Sequence, residues 1–515
     1  MCQTIEKAHE TLDNLWKEYE ADPYMQNKIL THMCTHLPSL MSQASQCHKK
    51  REVRKRNLTE GADVFITQFL NKHDYYYSPV AGVFFHYDGN HYSIYNEDDI
   101  LYEALRGVTH KPELHAWKYK IKNSIIKQVK ERHLISCIPE SATIQCVVRA
   151  LYPNVFPNGT MAKYFLTAIG DGLFKKSDNA IYLISNEVKP FVQEIAAQAN
   201  TIFGVNTISS SFKYKYYDHN FSECRLIDTQ PTINQKIWET GFQKQIVDLL
   251  CVAAHYSKRY GSADGFAERY KEQATVQHIK YLTDKTNELL VEEFIDLNIQ
   301  KHTQEGGSIT YPEMVYLWKQ HLVRKRIPNV IFNAPLRTTL LKLLSHNAET
   351  DSFTDVTSAQ LPSAKMFMEF WDSQMVSNEM ETHLEIDEIM TLLKHWNKKA
   401  LNQMDAACIL RTLRHFYTDV EVEDDKFIMH VECKLWSKKK HIDDFLTAFR
   451  AKCMDEQEEH GTMGAISLHK AYDAYNDFSK GALMMASKSY FERHLFDSIE
   501  EYIDENNCIS STWSS

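Results

Sequence analysis

The sequence predicts a mostly helical α+β chain, with a small α/β domain at its centre and tandem winged-helix-like modules at its C-terminal end. Three observations carry that expectation. Apolar residues recur at helical spacing through much of the 515 residues. A short apolar strand, AIYLIS (180–185), runs through the four residues NEVK into the helical PFVQEIAAQ. In the rear of the chain, a strand-like step leading into a helix occurs three times. A chain of this length implies about two to four domains.

Composition narrows the class. Hydrophobic residues at 43% and charged residues at 24% are ordinary for a globular protein, and 16 glycines with 13 prolines argue against long flexible linkers. The best apolar run, IVDLLCVAAHY, is broken by Asp248 and is far shorter than the roughly 18 to 20 apolar residues of a membrane span. The opening MCQTIEKAHETLDNLWKEYE lacks an apolar signal core, so a cytosolic or nuclear location is expected. Eleven cysteines stand singly, with no C-x-x-C pair, which points to reduced thiols. His32, Cys34, His36, Cys47 and His48 come nearest to a metal cluster. The first three alternate along a helical-looking segment and diverge there, so no metal and no cofactor is expected.

Residues 1–60 read as helical and end in the basic run Lys49 to Arg56, either a solvated helix face or a phosphate-contacting or nuclear-import patch. Residues 61–140 form the next domain. GVFFHY and HYSIY alternate around Asp88-Gly89-Asn90, a β-hairpin signal, and Asn96 then opens a helix with acids in its first turn. The tyrosines and phenylalanines here read either as core packing or as a base-stacking platform. Trp117, Ile121, Ile125 and Val129 recur every four residues, and Lys118, Lys120, Lys122, Lys127, Lys130 and Arg132 occupy much of the remaining surface. That is a basic amphipathic helix, able to dock on the protein and face a nucleic-acid backbone; a merely lysine-rich helix is the plain alternative. Residues 141–233 form the α/β domain, with GDG (Gly170 to Gly172) read as a turn before its strand, FKYKYY as alternating and CRLI as a buried strand. Residues 234–300 are a helical connector.

The repeat occupies 301–375, 376–455 and 456–515. Its copies are ITYPEMVYLWKQHL, LEIDEIMTLLKHW and ISLHKAYDAYNDF, aligned on Ile309, Leu384 and Ile466, then on Met314, Ile389 and Ala471. Each is followed by a second helix, beginning near Pro335, Ala406 and Ser487. A winged helix-turn-helix lays its second helix in the major groove with basic residues on nearby phosphates. The first copy offers Arg324, Lys325, Arg326, Arg337 and Lys342, and the second Arg411 and Arg414 beside an acidic hairpin carrying Glu421, Glu423, Asp424 and Asp425. Charge is uneven as well. Residues 376–515 hold 26 acids against 16 Lys and Arg, which accounts for the whole net charge of −10, while residues 1–375 balance at 42 of each. Nucleic acid, DNA in preference to RNA, is thus expected at the front half and first copy, and a protein partner at residues 376–515.

The order of FFHYDGNHYSIYNEDDILYEAL, AKYFLTAIGDGLFKKSDNAIYLIS and VEEFIDLNI…ITYPEMVYLWKQHL resembles the poxvirus-type primase-helicases of large cytoplasmic DNA viruses, which carry a superfamily-three helicase core; the whole also reads like uncharacterised giant-virus proteins. The resemblance implies a role in viral DNA replication or transcription, in the cytoplasm or nucleus of an infected cell or in the virion. It departs at the motor. The phosphate-binding loop needs G-x-x-x-x-G-K-[ST], so that glycine backbone N–H groups wrap the phosphates; that motif is absent, NEVK is too short, and Glu187 repels phosphate. G-x-S-x-G and H-E-x-x-H are absent too. The expected function is a non-catalytic nucleic-acid-binding factor. The alternatives are a protein-interaction scaffold or virion component, and an NTPase or nuclease whose site carries no motif.

Overall fold

The computed structural model describes residues 2–176, 179–218, 220–230, 245–270, 273–301, 307–378, 383–397, 404–460, 465–505 and 507–514. It divides into two compact units, Met1–Lys215 with Asn220–Asp284, and Tyr216–His219 with Lys285–Ser515. Helices dominate both, and the sheets have two or three short strands each.

The first unit opens with a helical arm. Helix α1 (Cys2–Glu18) turns into α2 (Pro23–Thr31), where the Asp22 carboxylate accepts the Tyr24 and Met25 N–H groups. A wide turn at His32–His36 joins α2 to the long α3 (Leu37–Lys72), and the Leu37 N–H reaches back to the His32 carbonyl. Pro38 follows at once and can donate no bond of its own, the usual reason for a local widening of a helix. The His32 and His36 rings pack 5.0 Å apart on this turn rather than diverging.

Next comes an antiparallel three-stranded sheet of β1 (Asp74–Ser78), β2 (Val83–Tyr87) and β3 (Tyr92–Tyr95). The β2–β3 hairpin turns at Asp88-Gly89-Asn90 as expected: the Asp88 carboxylate accepts the Asn90 and His91 N–H groups, and Gly89 takes a φ of +93°. Helices α4 (Glu97–Thr109) and α5 (Lys118–Lys130) pack with α3 around Phe65, Ile66, Phe69, Tyr75, Ile100 and Leu101. The aromatic residues of the hairpin are core: Tyr75, Phe84, Phe85, Tyr87 and Tyr92 are buried.

The larger core of this unit is built by α6 (Ser141–Leu151), α7 (Gly159–Leu173), α8 (Lys189–Phe203), α9 (Thr207–Ser211), α10 (Ile246–Tyr260), α11 (Ala263–Arg269) and α12 (Gln273–Ile279). A parallel sheet of three strands in the order β5–β4–β6 lies among them: β4 (Ile181–Leu183) at the centre, β5 (Phe212–Lys213) and β6 (Cys224–Leu226) at the edges. The expected start of the connector, 234–244, lies outside the described residues. GDG is not a turn before β4. It forms the end of α7, where Gly170 lets α10 approach so closely that a Cβ would stand 2.1 Å from the Ala253 carbonyl oxygen. Asp171 beside it is buried; it accepts hydrogen bonds from Ser257 Oγ (2.5 Å) and from the Ala263 N–H at the start of α11 (2.6 Å).

In the second unit one order of elements recurs. The first round is α13 (Asn287–Asn298), β7 (Gln300–Lys301), β8 (Ser308–Thr310), α14 (Tyr311–Lys325), α15 (Asn333–Leu343), β9 (His346–Asn347), β10 (Ser352–Thr354) and β11 (Val356–Thr357). The second is α16 (Leu361–Gln374), β12 (Met375–Ser377), β13 (His383–Glu385), α17 (Ile386–Trp396), α18 (Ala406–Phe416), β14 (Val422–Glu423), β15 (Phe427–Met429) and β16 (Val431–Cys433). The pairings match: β10 lies between β8 and β9 as β15 lies between β13 and β14, and β7–β11 corresponds to β12–β16. The third round is shorter, with α19 (Lys438–His460), β17 (Ile466–Ser467), α20 (Leu468–Phe478), α21 (Lys488–Ile499) and β18 (Cys508–Ile509), where β18 pairs with β17 and Ile509 also bridges Ile503.

The local reason is the same each time. Thr310, Glu385 and Ser467 end the strand and cap the helix that follows, the first two as reciprocal capping boxes with Glu313 and Glu388. Met314, Ile389 and Ala471, the aligned apolar position, are each 0% exposed. The second and third rounds share one core that runs from Phe367 to Trp513.

Candidate nucleic-acid interface

Helix α5 owes its orientation to its apolar stripe. Ile121, Ile125, Ile126 and Val129 are buried against α3 and α4, each contributing about 1.5–3 kcal/mol of transfer free energy. The rest of the helix is then turned outward. Lys118, Lys120 and Lys127 are exposed and Lys122 is half-buried. No described ion pair involves any of these four. Lys118 lies over the ring of Tyr119 (5.2 Å) and Lys120 over that of Trp117 (4.0 Å). Tyr119 itself is 70% exposed. It is an exposed aromatic set between two lysines; the Lys-Tyr-Lys order, which recurs at Lys213-Tyr214-Lys215, is the sequence signal that marks it. Lys122, Lys127 and Lys130 line a shallow depression of about 430 Å³ with Glu97, Asn123 and Glu131.

Lys130, at the end of α5, and Arg132 just beyond it are engaged within the unit. Lys130 pairs with Glu97 at 3.4 Å and lies over the rings of Tyr77 and Phe84. Arg132 Nη1 donates to the Leu70 carbonyl at 2.9 Å, tying the end of α5 to the end of α3. At the other end of α5, Lys49, Lys50 and Arg54 of the α3 basic run border a depression of about 580 Å³ whose far wall is Glu113 and Leu114. Two basic islands some 60 residues apart in sequence thus lie on neighbouring parts of one unit.

The second unit treats its cations differently. Arg324, at the end of α14, donates to Asn298 and to Gln360 Oε1 (3.1 Å). Lys325 pairs with Glu293 at 2.7 Å, and Arg326 ends the helix in the left-handed conformation at φ +54°. Arg337 pairs with Asp351 at 2.7 Å and lies over the Tyr311 ring at 4.7 Å, while His346 reaches the same carboxylate at 3.0 Å. Lys342 is exposed. In the second round Arg414 pairs with Asp425 of the acidic hairpin. Arg411 is half-buried, on a helix that packs against α14 through Tyr316–Thr412 (3.0 Å) and His415–Pro312 carbonyl (2.8 Å). Lys438, first of the basic run at 438–440, is buried against Glu388 at 2.6 Å.

The β4–α8 junction is closed by its own residues. Asn186–Val188 make one 3₁₀ turn, Val188 is buried beneath it, Ser185 and Thr229 hydroxyls meet at 3.0 Å, and the Lys189 ammonium lies over the Tyr214 ring at 4.2 Å. A phosphate cradle needs successive N–H groups aimed at one point, which a single tight turn does not present. Among the described residues no group of three or more His, Cys, Asp or Glu is placed to hold a metal, and no helix is long and apolar enough to cross a membrane. Searches with this chain match no family model, no curated protein and no solved structure.

Proposed function

We propose that this chain is a non-catalytic nucleic-acid-binding protein whose phosphate-contacting element is α5. One observation carries the reading: Lys118, Lys120, Lys122 and Lys127 stand on a core-anchored helix outside every described ion pair, whereas Lys325, Arg337, Arg414 and Lys438 are neutralised by carboxylates of their own unit. A cation already paired releases few counterions on meeting a phosphate, and an unpaired one releases its full share. Tyr119 offers a stacking surface beside the lysines.

The rounds of the second unit are read here as winged-helix modules. Their support is the strand–helix–helix–strand–strand order of the first two rounds, with the third strand pairing the first, and the shorter strand–helix–helix–strand order of the third. Their paired cations and the acid excess of 376–515 favour protein contact for this unit over phosphate contact.

The test is fluorescence anisotropy with single- and double-stranded oligonucleotides over a salt series. The parent is expected to bind with log K falling linearly against log salt. K118E/K122E/K127E should bind far more weakly, with a slope smaller by about 2 to 3 on duplex. R337A in the second unit should match the parent. Flat anisotropy at low salt, or a triple variant indistinguishable from the parent, overturns the proposal.

A further inference from the structure

From Ile29 to His48 the sequence holds no Asp, Glu, Lys or Arg. The structure makes this stretch part of the α2–α3 arm, where no described side chain between Ile5 and Asn57 is buried. Leu30, Met33, Leu37, Leu40 and Met41 are 37–59% exposed, and Ile5, Leu15 and Trp16 of α1 add to the uncovered apolar surface. The stretch carries no charge to keep its apolar side chains apart from a partner, and so much open apolar surface marks an association site.

What covers it is indicated by the charges at its two ends. Residues 1–22 hold six acids against two lysines, and residues 49–56 hold six Lys and Arg against one acid. At 1.5 Å per residue the neutral stretch between them is about 30 Å long. We propose that the arm pairs antiparallel with the arm of a second copy of this chain. Centring the pair between Pro38 and Ser39 lays each neutral stretch along the other for its whole length. It also brings the α1–α2 turn of each copy, with Glu18, Glu20 and Asp22, to the level of Arg54, Lys55 and Arg56 on its partner. A parallel pair would set like charge on like charge at both ends, an arrangement disfavoured by Coulomb repulsion. A charged seam of this kind selects orientation, while apolar contact holds the pair together.

The test uses the full chain in sedimentation equilibrium and light scattering. The parent is expected at twice its 60.1 kDa mass, and L37K/L40K as a monomer. E18K/E20K and R54E/K55E/R56E should each weaken the dimer by about tenfold or more, equivalent to about 1.4 kcal/mol, and their combination should restore it; Asp22 is left in place because it caps α2. None of these residues is buried, so circular dichroism should stay at the parent value throughout. A parent that stays monomeric up to high micromolar concentration overturns the proposal. So does a dimer indifferent to L37K/L40K, or a combined variant no tighter than the single swaps, since only antiparallel pairing predicts that rescue.

Discussion

Replacing Gly170 by alanine sets two well-measured effects against each other. Inside a helix, alanine is preferred over glycine by about 1 kcal/mol, so propensity alone predicts a gain in stability. Contact predicts a loss. The new Cβ would stand 2.1 Å from Ala253 O, 2.7 Å from Ala253 C and 2.7 Å from Ser257 Cβ, two of them backbone atoms that cannot rotate away. Carbon and carbonyl oxygen approach to about 3.3 Å at closest, so α7 and α10 would have to part by about 1 Å. Overpacking of this kind costs about 1–3 kcal/mol. Parting the helices also stretches the Ser257–Asp171 bond and strains the one from Ala263, and a buried carboxylate robbed of a donor costs about 1–3 kcal/mol more. The sum is a net destabilisation of about 2–4 kcal/mol.

Two neighbouring glycines serve as controls. A Cβ on Gly159 meets nothing within 4 Å, so G159A should be neutral or slightly stabilising. At Gly172 the Cβ meets Ile208 Cγ1 at 2.9 Å, a side-chain atom of a fully buried residue rather than backbone, and G172A should destabilise by less than G170A. Urea unfolding followed by circular dichroism gives the order. Hydrogen exchange on peptides covering α7 and α10 shows whether protection is lost at that contact. A G170A protein as stable as its parent would refute the close approach and with it the reading of GDG as a helix–helix contact.

Other substitutions probe the remaining buried polar groups. K438M leaves Glu388 buried without its cation, a loss of about 3–5 kcal/mol in urea unfolding, and K438M/E388Q, which removes the charge yet keeps an acceptor for the Glu385 N–H, should recover most of it. D248A removes the acceptor of the Tyr92 N–H and of His91 Nδ1, both at 2.7 Å, and should cost about 2–3 kcal/mol while raising exchange at the β2–β3 hairpin. Burial, aided by Lys325 and Arg324, pushes His321 down to about 4, and burial with Lys438 and Arg493 does the same to His383. Below the ordinary histidine value of 6.5 the unfolded chain takes up these protons and the folded chain does not, so stability is full above pH 6.5 and falls as pH drops toward 4. The loss is at most about 3 kcal/mol for each group, and H321Q/H383Q should show a shallower fall over that window.

Where the sequence could be read, the cause of structure was local. The hairpin at Asp88-Gly89-Asn90 and the apolar stripe of α5 are stated by neighbouring residues, and the strand that ends in a helix cap is written out at Thr310, Glu385 and Ser467. Where it could not, the cause was distant. Gly170 answers to Ala253, so a helix contact looked like a turn. FKYKYY alternates, yet only Phe212 and Lys213 pair as a strand, because Tyr216 is buried and Tyr217 stacks on Phe332 with ring centres 3.4 Å apart.

The candidate site shows the same division, and it changes which cations matter. A count of lysines and arginines ranks the first repeat beside α5. That count does not reveal that Arg337 is paired with Asp351, 14 residues on, or Lys325 with Glu293, 32 residues back, because those pairs exist only once the helices have packed. Pairing rather than number decides what a basic surface can do. A lysine already facing a carboxylate must give up that partner to meet a phosphate, and the exchange gains little at physiological ionic strength. On α5 the acids that border the same depression are Glu97 and Glu131, and Glu97 is taken by Lys130 at the end of the helix, so Lys118, Lys120, Lys122 and Lys127 stay outside every described ion pair. Free cations on a helix anchored by four buried aliphatic side chains form a rigid, patterned charge. That is the property separating a binding surface from a merely soluble one, and it follows from packing rather than composition.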